Sequence, residues 1–136
     1  MLSVGNGLPV AAAVSGANVH DTQLLEITLD SIVIERPDYN KYVQNLCLDA
    51  GYTGYYDECA KRGYIVHIRP RGEEKKEIEN NPDFKARRWV VEVLHSWINR
   101  FRKLLVRFEK KADSYLGLLS FACSVIVWRR LLNVHL

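Results

Sequence analysis

The longest unbroken hydrophobic pattern in the chain runs from Arg87 to Leu105 and contains no Gly or Pro. Trp89, Val93, Trp97, Phe101 and Leu104 form one row, and Val90, Leu94, Ile98, Phe101 and Leu105 form the row beside it. Both rows follow the i, i+3, i+4, i+7 spacing of an amphipathic helix. A second helical pattern covers roughly Asp113 to Asn133, with Leu116, Leu119, Ala122, Cys123 and Ile126 on one face. Asp113 or Ser114 is placed to cap it. A shorter helix is expected from Thr22 to Ile32, capped by Asp21 and buried through Leu24, Leu25, Thr28, Leu29 and Ile32.

Between these helices the pattern shortens to strands. Leu2-Ser3-Val4 and Leu8 to Val14 read as two strands joined at Gly5-Asn6-Gly7, because Asn and Gly tolerate positive φ. Pro9 has no N–H to give a ladder, so it belongs to the first residues of its strand or to an open side. Val43 to Leu48 contains Leu46-Cys47-Leu48, which fits a buried strand ending on Asp49. A helix from about Tyr55 to Arg62 is stopped by Gly63, and Tyr64 to Ile68 forms another strand. Strand, helix and strand in succession predict a βαβ unit with a parallel pair, hence an α/β fold. Arg71 to Phe84 is a highly charged loop. The natural division is residues 1–83, strands and short helices, against 84–136, two long helices.

With 136 residues and 48% apolar content, the chain fits one domain with a real core. Charged residues at 26% exclude a disordered or membrane-embedded class. The apolar stretch Tyr115 to Trp128 is shorter than the ~20 residues a membrane span needs, and Arg129-Arg130 close it. Three widely spaced cysteines without a CxxC pair read as reduced thiols of an intracellular, cytoplasmic protein, with Cys47 and Cys123 as core fillers. The net charge of +3 hides a strong local asymmetry. From Lys85 to Lys111 the bases are Lys85, Arg87, Arg88, Arg100, Arg102, Lys103, Arg107, Lys110 and Lys111, against Glu92 and Glu109. A solvated helix face and a surface for a polyanion both account for it.

Two acids stand out. Glu92 lies among apolar and basic residues, with Arg88 one turn before it and His95 and Ser96 one turn after. It is a surface ion pair with Arg88 or a metal ligand. Asp49, at the carboxyl end of a strand, is a turn-forming residue before Ala50-Gly51 or a group aimed into the crevice where α/β sheets place their sites. Together they suggest two carboxylates at one sheet edge, a hard-oxygen set suited to Mg²⁺ or Mn²⁺. Basic residues nearby would hold a phosphodiester, and two ions ~3.5–4 Å apart would stabilise its attacking and leaving oxygens. His20, His67 and His95 lack metal-ligand spacing. Trp89, Trp97 and Trp128 are read as core anchors, and Tyr52, Tyr55 and Tyr56 as turn packing near Asp49.

Three blocks carry a resemblance: Ser15-Gly16-Ala17-Asn18-Val19-His20-Asp21; Leu48-Asp49-Ala50-Gly51-Tyr52; and Arg88-Trp89-Val90-Val91-Glu92 continuing through Trp97-Ile98-Asn99-Arg100-Phe101-Arg102-Lys103-Leu104 to Arg107-Phe108-Glu109-Lys110. The chain resembles the DDE transposases of bacterial insertion sequences. The resemblance implies a ribonuclease-H-like mixed sheet with packed helices, and transposon-end and target DNA as partners. It also implies three acids holding two Mg²⁺ or Mn²⁺ ions for strand nicking and transfer. Asp49 matches the second acid and Glu92 the third, while Arg88, Arg100, Lys103 and Arg107 become DNA contacts. Asn99 stands where many relatives have a basic residue, and Arg100 beside it is the substitute. Val4 stands where the family's first Asp would be. A strand already under way at Met1 adds the expectation of an N-terminally truncated catalytic domain, inactive by itself. It would act as a DNA-binding fragment, self-associate, or dock on a full-length transposase and interfere with it.

Overall fold

A computed structural model describes residues 1–68 and 88–132, with Arg88 and Trp89 described through their backbone only. The charged loop expected over Arg71–Phe84 lies outside the described residues. The elements are β1 (Leu2–Ser3), β2 (Pro9–Ala11), a 3₁₀ turn (Asp21–Leu24), α1 (Leu25–Asp30), β3 (Asn45–Leu48), a second 3₁₀ turn (Ala50–Tyr55), α2 (Tyr56–Lys61), β4 (Ile65–Ile68), α3 (Arg88–Ile98), α4 (Arg102–Leu105) and α5 (Ala112–Leu131). Helices and small sheets thus make a mixed α/β chain. It divides into two compact units, residues 1–34 with 87–136 and residues 35–86.

In the first unit, β1 and β2 form an antiparallel hairpin with Leu2 opposite Ala11 and Ser3 opposite Pro9. Pro9 takes the first position of its strand, where its missing N–H does least harm. Gly7 in this turn uses positive φ, at 88°. The helix expected from Thr22 starts differently from its pattern. His20, and not Asp21, is the cap: its Nδ1 accepts from the Thr22 N–H at 3.3 Å. A 3₁₀ turn then leads into α1, whose Leu25, Thr28 and Leu29 are buried.

The core of this unit is Leu94, Ile98, Leu104, Leu119, Ala122 and Ile126. The continuous helix expected over 87–105 breaks after Ile98. Arg100 N–H bonds Trp97 O at 3.2 Å and Phe101 N–H bonds Ile98 O at 2.9 Å, so the turn tightens before Phe101 becomes extended. The two-row pattern explains the break. In a straight helix Ile98 and Leu104 would point about 120° apart. Swinging α4 away from the axis of α3 puts both into one core, and leaves Leu105 exposed. In α5, Leu119, Ala122 and Ile126 are buried as the spacing predicts. Neither Asp113 nor Ser114 caps it; Lys111 holds the N-cap position without a side-chain bond, and Asp113 lies in the first turn, where it complements the helix dipole.

In the second unit, β3 and β4 pair in parallel, Leu46 opposite Val66 and Cys47 opposite His67, as the strand–helix–strand order predicts. Burial alternates: Leu46 and Val66 face in, while Cys47 and His67 face out. The strand expected to be buried is therefore half-exposed, and the apolar Leu46-Cys47-Leu48 run misled because Cys47 counts as apolar. The buried thiol is Cys59, fully covered, and Cys123 of the first unit is half-buried. Gly63 ends α2 at φ 81°, with its N–H on Ala60 O at 2.9 Å and Tyr64 N–H on Cys59 O at 3.3 Å. This is the paired bonding of a Schellman stop, which favours glycine. Arg36 clasps the unit: it donates to Gln44 Oε1 at 2.8 and 2.9 Å and to Arg62 O at 3.0 Å, and lies 4.0 Å over the Tyr64 ring. Burial pushes the Tyr64 hydroxyl above its ordinary pKa, and Arg36 pulls it partly back.

Candidate functional site

Asp49 follows β3 directly and is exposed, with φ −77° and ψ 172°. Its Oδ1 accepts the Gly51 N–H at 2.8 Å, capping the 3₁₀ turn that begins at Ala50. A Cβ at position 51 would stand 3.1 Å from that oxygen, so glycine lets the carboxylate lie close over the loop. The turn-forming role is real. It engages Oδ1 through the Gly51 N–H. Asp49 belongs to the 35–86 unit.

Glu92 belongs to the other unit and is exposed on α3. Val90, Leu94 and Ile98 line the buried face of that helix. Glu92, His95, Ser96 and Asn99 are all exposed on the opposite side. Of its apolar sequence neighbours, Val90 and Leu94 turn to the core, while Val91 is itself 49% exposed. The Arg88 side chain, proposed above as its partner or as a DNA contact, lies outside the described residues. The carboxylate oxygens suit a hard divalent cation. Among the described residues, no group of three or more His, Cys, Asp or Glu is placed to hold a metal ion.

The basic connection between α3 and α5 is laid out on the first unit. Arg100, Arg102, Lys103, Arg107, Lys110 and Lys111 are all exposed. Arg107 lies 5.1 Å over the Tyr115 ring and donates from Nε to Glu109 O at 3.4 Å. Phe108 is 69% exposed between these cations. Sequence reasoning did not single it out, although an aromatic residue inside a basic run is the pattern that stacks on nucleic-acid bases. Trp128, read above as a core anchor, is exposed; Trp97 is partly buried, and the Trp89 side chain is outside the description.

A cavity of about 400 Å³ also lies in this unit. The Ser15–Ala17 loop, Asp21, His95, Asn99 and Tyr115 line it. It joins the first resemblance block to α3, a link between distant segments that no periodicity could reveal. His67 and Asn45 of the other unit share a bond of 2.8 Å across their strands, a structural use for that histidine. No described helix is long and apolar enough to cross a membrane.

Comparison with known proteins places these features in a class. Residues 46–129 match the family described as Transposase DDE domain, a span that includes both Asp49 and Glu92. The chain therefore belongs to the DDE transposase family of bacterial insertion sequences. It is 37% identical over 131 residues to a Burkholderia cepacia protein named "Putative transposase for insertion sequence element IS402". That alignment covers 93% of the chain and 60% of the relative's length. No solved structure matches the chain.

Proposed function

We propose that the chain serves DNA-mediated transposition on a ribonuclease-H-like scaffold, with transposon-end and target DNA as its partners. The observation that carries this reading is the exposed run Arg100, Arg102, Lys103, Arg107, Lys110 and Lys111, opposed only by Glu109, in a chain of a transposase family. Exposed guanidinium and ammonium groups on one short segment neutralise successive phosphates and release their counterions. Asp49 and Glu92 serve as the second and third acids, and Arg88 as a phosphate or carboxylate partner. A bound Mg²⁺ or Mn²⁺ would supply Lewis-acid stabilisation of the phosphodiester oxygens. The residues' own part is to present carboxylate oxygens, to hold the phosphate backbone and to orient the strand.

A second reading rests on Val4. It lies just after β1 in the hairpin turn, where its N–H bonds Leu8 O and its carbonyl accepts from Gly7 N–H, both at 2.9 Å. The resemblance puts the first acid at this position. With one carboxylate fewer, a hard cation loses affinity, and the chain binds DNA without cutting it, alone or on a full-length transposase. Titration onto element-end DNA with Mg²⁺ or Mn²⁺ tests both readings. Salt-sensitive binding without nicking is expected. Failure to bind DNA at low salt sinks the transposition reading, and nicking that disappears in Asp49→Ala sinks the non-cutting one. Calorimetry of Val4→Asp, at a position already 37% exposed, should show tighter Mn²⁺ binding than the original chain.

A further inference from the structure

Helix α5 is apolar on more than the face it buries. Leu119, Ala122 and Ile126 point into the core, yet Phe121, Trp128 and Leu131 are 67%, 64% and 73% exposed. A helix apolar all round is normally covered all round. The uncovered residues fall in a regular series: Ser114, Gly117, Phe121, Ser124, Trp128 and Leu131, spaced 3, 4, 3, 4, 3, every one exposed. That is the alternation of a coiled-coil seam.

The sizes along this seam select the occupant. Take a second copy of α5 lying antiparallel, with the twofold axis between residues 122 and 123. Ser114 then faces Leu131, Gly117 faces Trp128, and Phe121 faces Ser124. Every large side chain meets a small one, which is how facing layers interdigitate without voids. A parallel partner would set Trp128 on Trp128 and leave a gap at Gly117. Charge agrees: antiparallel packing brings Asp113, in the first turn, towards the last turn with Arg129 and Arg130, and opposes the two helix dipoles. The area is also adequate. The exposed two-thirds of Phe121 and Trp128 alone remove roughly 500–600 Å² when both copies are counted, and Leu131 and the flanks raise this towards the ~1,000 Å² of a specific interface.

We propose that α5 is a self-association helix, pairing antiparallel with α5 of a second copy of this chain through Phe121, Trp128 and Leu131. The contact is isologous, so it closes at a dimer. It stands apart from the DNA reading and is tested without DNA.

Sedimentation of the full chain should show a dimer at about 50 µM, and Trp128→Glu should weaken association at least about thirtyfold. Gly117→Leu is the sharper variant. Nothing lies within 4 Å of a Cβ built there, so the protomer accepts the side chain, while the seat for the partner's Trp128 is filled. It should yield a monomer whose circular dichroism is unchanged. Orientation is read by oxidative cross-linking in a Cys47→Ser background. Ser124→Cys lies near the axis and should join two copies. Ser114→Cys residues would be about 25 Å apart along the helices and should not. A chain monomeric at every concentration, with the face bare or covered by another partner, overturns the proposal. So does a dimer indifferent to both Gly117→Leu and Trp128→Glu, or cross-linking through Ser114→Cys as ready as through Ser124→Cys.

Discussion

Neutralising Arg100, Lys103 and Arg107 together to Gln should flatten the salt dependence of DNA binding by a predictable amount. Six exposed cations lie between α3 and α5, and none is held in the core. If each meets one phosphate, the logarithmic slope of affinity against salt is about −5.4, and the triple variant should fall to about −2.7. Between ~50 and ~200 mM salt the original chain would then lose about 2,000-fold in affinity and the variant only about 40-fold. Fluorescence anisotropy over a salt series measures both slopes. Arg107 needs a control, because its guanidinium also lies over the Tyr115 ring and bonds Glu109 O. Arg107→Lys keeps the charge, so it should keep the slope even if it loosens that packing. An unchanged slope in the triple variant would refute the assignment of phosphate contacts to this segment. Salt-independent binding would refute the electrostatic argument as a whole.

Four further outcomes follow from the packing. Leu94→Ala, at 1% exposure in the core of the first unit, should destabilise by about 3–5 kcal/mol in urea denaturation; a loss under ~1 kcal/mol would show that the core repacks. Gly63→Ala forces a positive φ on a side chain and sets its Cβ 2.5 Å from Tyr39 Cγ. It should cost about 1–2 kcal/mol for the backbone, and more unless the exposed Tyr39 swings away. The thiols should react with alkylating reagent in the order Cys47, Cys123, Cys59, following their exposure. Burial pushes the Cys123 thiol above its ordinary value of 9.0. Its folded pKa is raised, so its contribution to stability is intact below pH 9.0 and is lost as pH rises through the folded value. A melting temperature that rises with pH through that window would contradict the sign.

The candidate site residues are marked by local pattern, and so they were legible. Asp49 behind a strand, Glu92 in a helix and the basic run after it are all visible as residue types at fixed spacing, and the family match covers the same span. The elements themselves were legible where period and punctuation agreed. Gly63 stops α2 because a left-handed stop favours glycine, and β3 and β4 run parallel because a helix separates them. Where several residue types satisfy one local rule, the sequence could not choose. His20 and Asp21 both offer a capping acceptor, and only the loop's path gives the bond to His20.

What the sequence alone determined, then, is the set of chemical groups, the strand and helix order and the family. Tertiary structure decided which apolar residues find a partner. The pattern through Leu105 demanded one helix, but Ile98 and Leu104 share a core only if the helix breaks between them. Cys47, Phe121 and Trp128 are as apolar as Cys59, Leu119 and Ile126, yet the first three are exposed and the last three buried. Hydrophobicity is a property of a residue. Burial depends on what the rest of the chain brings against it, and among the described residues one apolar face of α5 stays exposed.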